Sequence, residues 1–293
     1  MMDYKALSCF VAVLRFQGFE RAADYLGLTQ SAVSQRIKRL EQECGGPILI
    51  RARPVSATPL GEQLLAHANK VAMLEDGLFE SLQQEHSHQP LAIAVNNDVL
   101  ATWFPQVLSA FSHADETRLH IKAADQGKTR EILQTGEVVA CLSQLGTPVS
   151  GGESVYLGNM TYELVASPEF VRTQLKGEVS VETVMSAPSL VFDEFDGLWE
   201  RYQDECLQVK ADIRNSHWYP SSHGFVEMVM GGTVCALVPS VQVQTEISDG
   251  RLVSLFPDNR LNVPLYWHWY KLNSPVLDRL TSVILSTTRN TLS

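Results

Sequence analysis

The residues best suited to chemistry lie in one short stretch near the N-terminus. Its small polar and basic side chains share one face of a predicted helix, and the opposite face carries Val33, Ile37 and Leu40. Glutamine can bond the edge of adenine, serine bonds several base edges, and lysine or arginine reaches guanine or phosphate. The stretch therefore predicts a helix that enters the major groove of double-stranded DNA. The predicted DNA-contacting residues of this helix are Gln30, Ser31, Ser34, Gln35, Arg36 and Lys38.

The residues before this helix predict a second, shorter helix and a tight turn. Ala22 and Ala23 allow close helix approach, and Gly27 can end the helix in the left-handed conformation. Thr29 can cap the next helix with its hydroxyl. A solvated helical hairpin would show the same periodicity, but the glycine, the cap and the polar face together favour a helix-turn-helix that reads DNA.

A short hairpin, or wing, is predicted after the reading helix. The apolar run 48–50 is followed by Arg51, Arg53 and a proline. These two arginines are predicted to hold phosphates or enter the minor groove, with solvated surface charges as the alternative.

From Phe19 to Gly61 the chain resembles the LysR-type transcriptional regulators, through Ala22-Ala23, residues 30–34 and the wing. Within that family, the stretches 18–23, 29–38, 47–51 and 265–268 are similar to the ArgP, LysG and IciA branch. The resemblance implies a regulator that senses lysine or arginine and controls genes for amino-acid transport or metabolism. It also implies a homodimer or homotetramer that contacts RNA polymerase.

Charge divides the chain into two unlike parts. Residues 1–58 hold eight Lys and Arg against five Asp and Glu, a balance of +3, whereas the whole chain has a net charge of −10. The remainder therefore carries −13, so only the N-terminal part suits DNA, and the acidic remainder favours a cationic ligand. No apolar run is long enough to span a membrane and no secretory leader is visible, so we expect a cytoplasmic protein without membrane contact.

A long helix is predicted after the wing. Apolar residues follow an alternation of four and three, with His67 at the one position where an apolar residue is missing. They form a heptad-like seam that a second copy would cover, with packing on its own domain as the alternative. Residues 86–90 are predicted to form a hinge. The predicted dimerisation residues are Leu60, Leu64, Val71, Leu74 and Leu78.

The remaining two-thirds alternates between short β-branched runs and amphipathic helices, which predicts parallel βαβ units. The expected fold is α/β: an N-terminal winged helix-turn-helix plus a long dimerisation helix, then a two-lobed, periplasmic-binding-protein-like α/β effector domain. The predicted divisions are a DNA-binding domain at 1–58, a linker helix and hinge at 59–90, and an effector domain at 91–293. Lobe I takes about 91–160 and 267–293, and lobe II about 161–266.

Ligands of open α/β sheets bind beyond the carboxyl ends of the strands. The loops expected there are acidic and polar, which suits the ammonium and carboxylate groups of lysine or arginine. Taken alone, each carboxylate is more typical of a loop or capping residue. Unlike the branch, the chain carries Trp218, Tyr219 and His223 beside these loops, which leaves the ligand open. The predicted ligand-binding residues are Asn97, Asp98, Asp125, Asp193, Ser221 and Ser222.

Other functions have less support. No nucleophile elbow, dinucleotide fingerprint, P-loop or metalloprotease motif occurs, so no enzyme, cofactor, catalytic residue or metal site is predicted. The five scattered cysteines leave a redox signal open as an alternative. A different small-molecule signal, and a role as an architectural or chromosome-origin DNA binder, also remain open.

Overall fold

The computed structural model describes residues 2–81, 90–114, 117–125, 127–210, 215–272, 274–289 and 291–292, without the side chains of 73, 76, 77 and 79–81. Except for Pro90, the predicted hinge at 86–90 lies outside the described residues. Three helices and a two-stranded hairpin form the N-terminal domain around buried apolar side chains that include Phe10, Val33 and Ile37. Its elements are α1 (Tyr4–Arg15), α2 (Phe19–Leu26), α3 (Gln30–Cys44), β1 (Leu49–Ile50) and β2 (Ser56–Ala57).

The long helix α4 (Pro59–Ser81) begins at a proline, and the Thr58 hydroxyl accepts a hydrogen bond from the Gly61 N–H at 3.0 Å. Along α4 the structure divides the predicted dimerisation seam. Leu64 is buried in the core of the N-terminal domain, and Leu60 packs against the same core. The assignment of Leu64 to a seam with a second copy is therefore corrected, because a side chain that fills one core is not free to fill another. Leu60 is only partly buried, so its place in that seam stays a prediction. Leu74 and Leu78 are about half exposed, at 49% and 55%.

The effector domain is built on a curled sheet of seven strands. Its strand order is β10-β6-β11-β5-β3-β4, with β9 paired to β6. The pairs β3–β4 and β3–β5 are parallel, which confirms the predicted βαβ units. The first lobe holds β3 (Leu91–Val95), α5 (Asn97–Ala101), α6 (Phe104–Ala114), β4 (Leu119–Ala123), α7 (Thr129–Gln134), β5 (Ala140–Ser143) and α13 (Pro275–Thr288).

Two long strands join the lobes. β6 (Gly152–Ala166) and β11 (Leu261–Tyr270) pair antiparallel from Tyr162–Leu261 to Gly152–Tyr270, and the register shifts between Leu265 and Tyr266. The end of β11 that contains Tyr266 pairs with β5 of lobe I, and the other end of β6 pairs with β9 and β10 of lobe II. Both strands therefore cross between the lobes near the predicted divisions at 160/161 and 266/267.

One apolar core of lobe II, which includes Val229 and Val238, is built mainly from β9 and the helix that follows β8. β7 and β8 pair in parallel, and the backbone of Ser189 forms an isolated parallel β-bridge with that of Cys235, just before β9. The Ser221 hydroxyl accepts a hydrogen bond from the Gly224 N–H at 3.2 Å and caps the first turn of α11. Lobe II holds α8 (Pro168–Thr173), α9 (Val181–Ser186), β7 (Ser189–Val191), α10 (Leu198–Tyr202), a π-helical turn (Gln203–Leu207), β8 (Ser216–Trp218), α11 (Ser222–Met230), β9 (Ala236–Pro239), α12 (Ser240–Ser248) and β10 (Val253–Ser254).

Among the helices in the described part of the chain, none has the length and apolar character needed to cross a membrane.

Candidate ligand cleft and nucleic-acid interface

The turn between α2 and α3 has the predicted geometry. Gly27 adopts the left-handed conformation, with φ 65° and ψ 34°, and ends α2. The Thr29 hydroxyl accepts a hydrogen bond from the Ala32 N–H at 3.2 Å and caps α3. Both predicted helix boundaries are confirmed, and together they set the angle at which α3 leaves the domain.

The outer face of α3 carries most of the predicted DNA contacts. Arg36 differs from the others, because its guanidinium lies 3.8 Å from the Cys9 sulfur on α1 and is partly buried. It therefore braces α3 against α1 in this arrangement. Gln30, Ser31, Gln35 and Lys38 are exposed, and Ser34 is half-buried.

The wing presents two arginines in different settings. The Arg51 guanidinium lies 3.2 Å from the Glu41 carboxylate and 5.6 Å from the centre of the Phe19 ring, so it is held against α2 and α3. Glu41 also accepts a hydrogen bond from the Ile48 N–H, which ties the start of the wing to α3. Arg53, at the tip between β1 and β2, is exposed.

A cavity of about 220 Å³ lies between the two lobes, at the ends of β3 and β5. Of the predicted ligand residues, Asn97, Asp98, Asp125 and Asp193 line it. The other residues of its wall are Asn96, Gly127, Gln144, Leu190, Phe192, Phe195, Asp196, Gly197, Leu198, Trp199, Arg201, Phe225 and Leu237.

Asp98 connects the lobes through its carboxylate. It accepts one hydrogen bond from the Tyr162 hydroxyl at 2.5 Å and another from the Ser222 hydroxyl at the start of α11. Ser222 thus acts through Asp98 and does not belong to the cavity wall. Ser221 is also absent from the wall, and its hydroxyl caps α11, so its contact with a ligand stays a prediction.

Arg201 is a wall residue that sequence reasoning missed. Its guanidinium donates to the Gln144 side chain of lobe I at 2.7 Å and to the Glu205 carboxylate at 2.9 Å. In the sequence only the Arg201–Glu205 spacing of four is visible, and this spacing is typical of an ordinary helix-surface ion pair. The lobe–lobe bond to Gln144 depends on the tertiary fold.

A third contact between the lobes lies at the mouth of the cleft. The Lys128 ammonium is 3.5 Å from the Asp125 carboxylate and 4.4 Å from the centre of the Phe195 ring, which belongs to lobe II. A cation between a carboxylate and an aromatic face is stabilised by both. This geometry shows that the mouth of the cleft can hold an ammonium group.

The loop after β7 supplies two further carboxylates. Asp193 accepts from the Phe195 N–H at 2.8 Å, and Asp196 accepts from the N–H groups of Phe192 and Leu198, both at 3.0 Å. Burial raises the pKa of the Asp196 carboxyl, the two backbone hydrogen bonds oppose that shift, and the charges of Asp98 and Asp193 add to it. Asp196 was also missed, although its spacing from Leu198 is that of a side chain capping its own turn.

The cleft therefore brings together the carboxylates of four aspartates and one guanidinium. Asp98, Asp125, Asp193 and Asp196 contribute negative charge, and Arg201 contributes a guanidinium. A ligand that carries both a cationic group and a carboxylate has a partner of opposite charge for each. The apolar part of the wall can cover an aliphatic chain between those two groups.

Burial disfavours the reactive thiolate form of two cysteines. All five cysteines are free, and Cys9, Cys141 and Cys235 are buried. Burial raises the pKa of Cys141 and of Cys235 to about 12, which keeps both thiols protonated. Among the described residues, no three His, Cys, Asp or Glu side chains are placed to hold a metal ion.

Both parts of the molecule match known protein domains. Residues 4–62 match the bacterial regulatory helix-turn-helix proteins of the lysR family, and residues 84–288 match the LysR substrate-binding domain. The chain belongs to the LysR family of bacterial transcriptional regulators. The family resemblance predicted from residues 19–61 is thereby confirmed, as is the winged helix-turn-helix with a two-lobed α/β domain.

Relatives within the LysR family extend the match over the whole chain. The HTH-type transcriptional regulator ArgP of Pseudomonas fluorescens (strain Pf0-1) is 39% identical over 288 residues, which cover 97% of this chain and 96% of that protein. ArgP from Mycobacterium tuberculosis, solved by crystallography, has a TM-score of 0.86 at 32% identity and covers 100% of this chain and 99% of its own. Full-length LysG from Corynebacterium glutamicum, solved with bound effector Arg, has a TM-score of 0.74 at 29% identity, with 99% of each chain covered. The predicted resemblance to the ArgP and LysG branch is confirmed.

Proposed function

We propose that this LysR-family regulator senses a basic amino acid, L-arginine or L-lysine, in the cleft between its lobes. It then controls transcription of genes for the transport or metabolism of that amino acid. The observation that carries the proposal is the charge arrangement of the cavity wall, in which four aspartates and the Arg201 guanidinium surround a space of about 220 Å³. That volume lies below the range of about 300–1,000 Å³ that is typical of drug-sized ligands and suits a small metabolite. The arginine-bound state of LysG, its structural relative, supports the same class of effector.

The cleft is proposed to bind its ligand without transforming it. The Ser222 hydroxyl is bonded to the Asp98 carboxylate, which itself accepts a second bond from Tyr162. Such a serine donates its hydroxyl hydrogen to a carboxylate and holds that carboxylate in place. A catalytic serine would instead donate to a histidine base. The raised pKa of the buried thiols argues against the redox alternative.

The N-terminal domain is proposed to read operator DNA as part of a homodimer, or a tetramer of the same subunits, and to position RNA polymerase. A groove of about 390 Å³ lies beside α4 and is lined by residues of α1, α2 and α4, Val71 among them, and by residues 90–92 and Val139 of lobe I. Leu74 and Leu78 are exposed further along the same helix. A second copy of α4 would cover these apolar side chains and pair two reading helices on two half-sites. The control of genes on effector binding favours this role over that of a purely architectural DNA binder.

The effector proposal is tested by calorimetry and thermal unfolding of the full chain with arginine, lysine and citrulline. Citrulline has the shape of arginine without its charge, so we expect arginine or lysine to bind and raise the unfolding temperature and citrulline to have little effect. Asp98→Asn should weaken binding of the cationic amino acid by about 1.5–3 kcal/mol, because a charge-assisted contact is lost.

Asp258→Asn is the matched control, since Asp258 is an exposed aspartate of lobe II outside the cavity wall. If neither arginine nor lysine bound to folded protein, or if citrulline bound equally well, the proposed effector class would be wrong.

A further inference from the structure

The helix α4 touches two domains within three turns. Leu64 and Ala68 are buried in the core of the N-terminal domain. Ala66, Asn69 and Lys70 lie on another side of the helix, spaced by three and four residues, and contact lobe I of the effector domain. A rigid helix that is anchored in one domain by one face and in a second domain by another must move with both.

The contact with lobe I is close. The Asn69 side-chain amide donates to the Gly136 carbonyl at 2.7 Å. A Cβ atom built on Gly136 would lie 2.0 Å from the Ala66 Cβ, far below ordinary carbon–carbon contact. Gly136 also has φ +72°, so the backbone conformation and the close approach both require glycine here.

A second pair of side chains supports the same contact. The Lys70 ammonium lies 3.9 Å from the centre of the Tyr270 ring. The Tyr270 hydroxyl donates to the Leu133 carbonyl at 2.7 Å, which fastens the end of β11 to the end of α7. We use the term interdomain contact for Ala66, Asn69 and Lys70 of α4 with Gly136 and Tyr270 of lobe I.

On the lobe I side of the interdomain contact lies α7, and this helix begins beside the cleft. α7 runs from Thr129 to Gln134, and Lys128, which precedes it, contacts Asp125 and reaches Phe195 of lobe II. α7 is only six residues long, and Thr129 and Leu133 are fully buried, so it is packed firmly in lobe I. Its first end therefore lies beside lobe II, and its last end abuts α4 through Gly136.

We propose that the interdomain contact is the surface through which the state of the cleft is transmitted to the DNA-reading domain, with α7 as the connecting element. Closure of lobe II on lobe I pulls on Lys128 and shifts α7, and Gly136 and Tyr270 pass that shift to α4. Two sites are coupled when each ligand favours one arrangement of a shared element, and the coupling acts equally in both directions. The use of arginine as the probe rests on the proposed function, whereas the contact itself does not.

The test uses the full chain and Gly136→Ala, which forces α7 and α4 apart. Gly151→Ala is the matched control, because Gly151 has nearly the same φ, +73°, and no atom within 4 Å of an added Cβ.

DNA affinity is measured with and without saturating arginine, on a fragment selected by the protein from a random pool. A coupled regulator should change its DNA affinity about 5–150-fold on binding arginine. Gly136→Ala should bring that ratio close to one while leaving arginine affinity unchanged, and Gly151→Ala should keep the ratio.

Asn69→Ala gives a second, milder variant without backbone strain, and its control is Gln63→Ala at an exposed position of the same helix. It should lower the ratio part of the way, and Gln63→Ala should not. A ratio that stays at the wild-type value in both Gly136→Ala and Asn69→Ala would overturn the proposal. So would a wild type that binds arginine with no change in DNA affinity.

Amide hydrogen exchange tests, without any ligand, whether α4 and lobe I are in contact. In the wild type, amides of 66–70 and 134–137 should be protected, and Gly136→Ala should speed exchange in both segments at once. Unchanged exchange in the variant would overturn the contact. Failure of arginine to bind the wild type would instead refute the proposed effector, and the exchange result would still decide whether the two domains are docked here.

Discussion

At the scale of single residues, the cleft is held together by a few charged side chains whose partners lie far away in sequence. Asp98 and Arg201 each bond a residue of the opposite lobe, so they can bind a ligand and report lobe position at the same time. Asp98 could be predicted because it follows a buried strand, where ligands of α/β sheets bind. Arg201 could not, since its partner Gln144 is distant in sequence.

The raised pKa of Asp196 predicts how effector binding depends on pH. A cationic ligand favours the ionised carboxylate, so below the raised pKa binding must expel a proton. We expect arginine affinity to fall on acidification, starting at a higher pH than the ordinary aspartate value of about 3.9, and to be flat above that range. Calorimetry in two buffers of different ionisation enthalpy measures the proton release.

Asp196→Asn should abolish this release, because no titrating proton remains at that position, whereas Asp258→Asn at the exposed control site should not. Equal proton release in wild type and Asp196→Asn would assign the pH dependence to another group.

On the reading helix, Gln35 is exposed near the start of α3, and Gln42 is exposed near its end. Gln35→Ala should weaken binding to the selected operator by about 1–3 kcal/mol, the value of one good base contact, with little change on unrelated DNA. Gln42→Ala should leave both affinities unchanged. Operator affinity measured by fluorescence anisotropy is the readout, and an unchanged value for Gln35→Ala would remove Gln35 from base recognition.

At the scale of elements, α4 shows how one apolar periodicity can serve two purposes. Its leucines repeat regularly in sequence, yet Leu64 completes the N-terminal core while Leu74 remains exposed. The period identifies an apolar face, but it does not say which partner covers each part of that face. The predicted seam was therefore wrong about Leu64, whereas the roles of the other seam residues stay predictions.

This division predicts different outcomes for two similar substitutions. Leu74→Glu should give folded monomers, because it places charge on the exposed part of the helix that a second copy would cover. Leu64→Glu should instead destabilise the N-terminal domain by several kcal/mol, because an unpaired charge enters its core. Sedimentation velocity and thermal unfolding separate the two effects, and intact oligomers of Leu74→Glu would disprove a dimer formed through this part of α4.

At the scale of the whole molecule, opposite charges are separated between the two functions. The N-terminal part carries a balance of +3 and the remainder −13, so DNA is attracted to one end and cations to the other. Helix α4, which is anchored in the N-terminal core by Leu64 and Ala68, meets lobe I at the interdomain contact, where Asn69 donates to Gly136. A regulator needs such a junction, because a sensor that did not touch the reading domain could alter it only through a flexible tether.

The amino-acid sequence by itself determined the elements whose signals are local. Gly27 and Thr29 specify the turn before α3 through their own backbone and hydroxyl chemistry, and the β-branched run 91–95 specifies a strand through its pattern. The tertiary structure alone decided the contacts that join distant segments: Asp98 with Ser222, Arg201 with Gln144, and Asn69 with Gly136. The same physical reason made all three contacts unpredictable from the sequence. A hydrogen bond between residues tens of positions apart leaves no periodicity in the chain, and it forms only when the sheet, the lobes and α4 pack together.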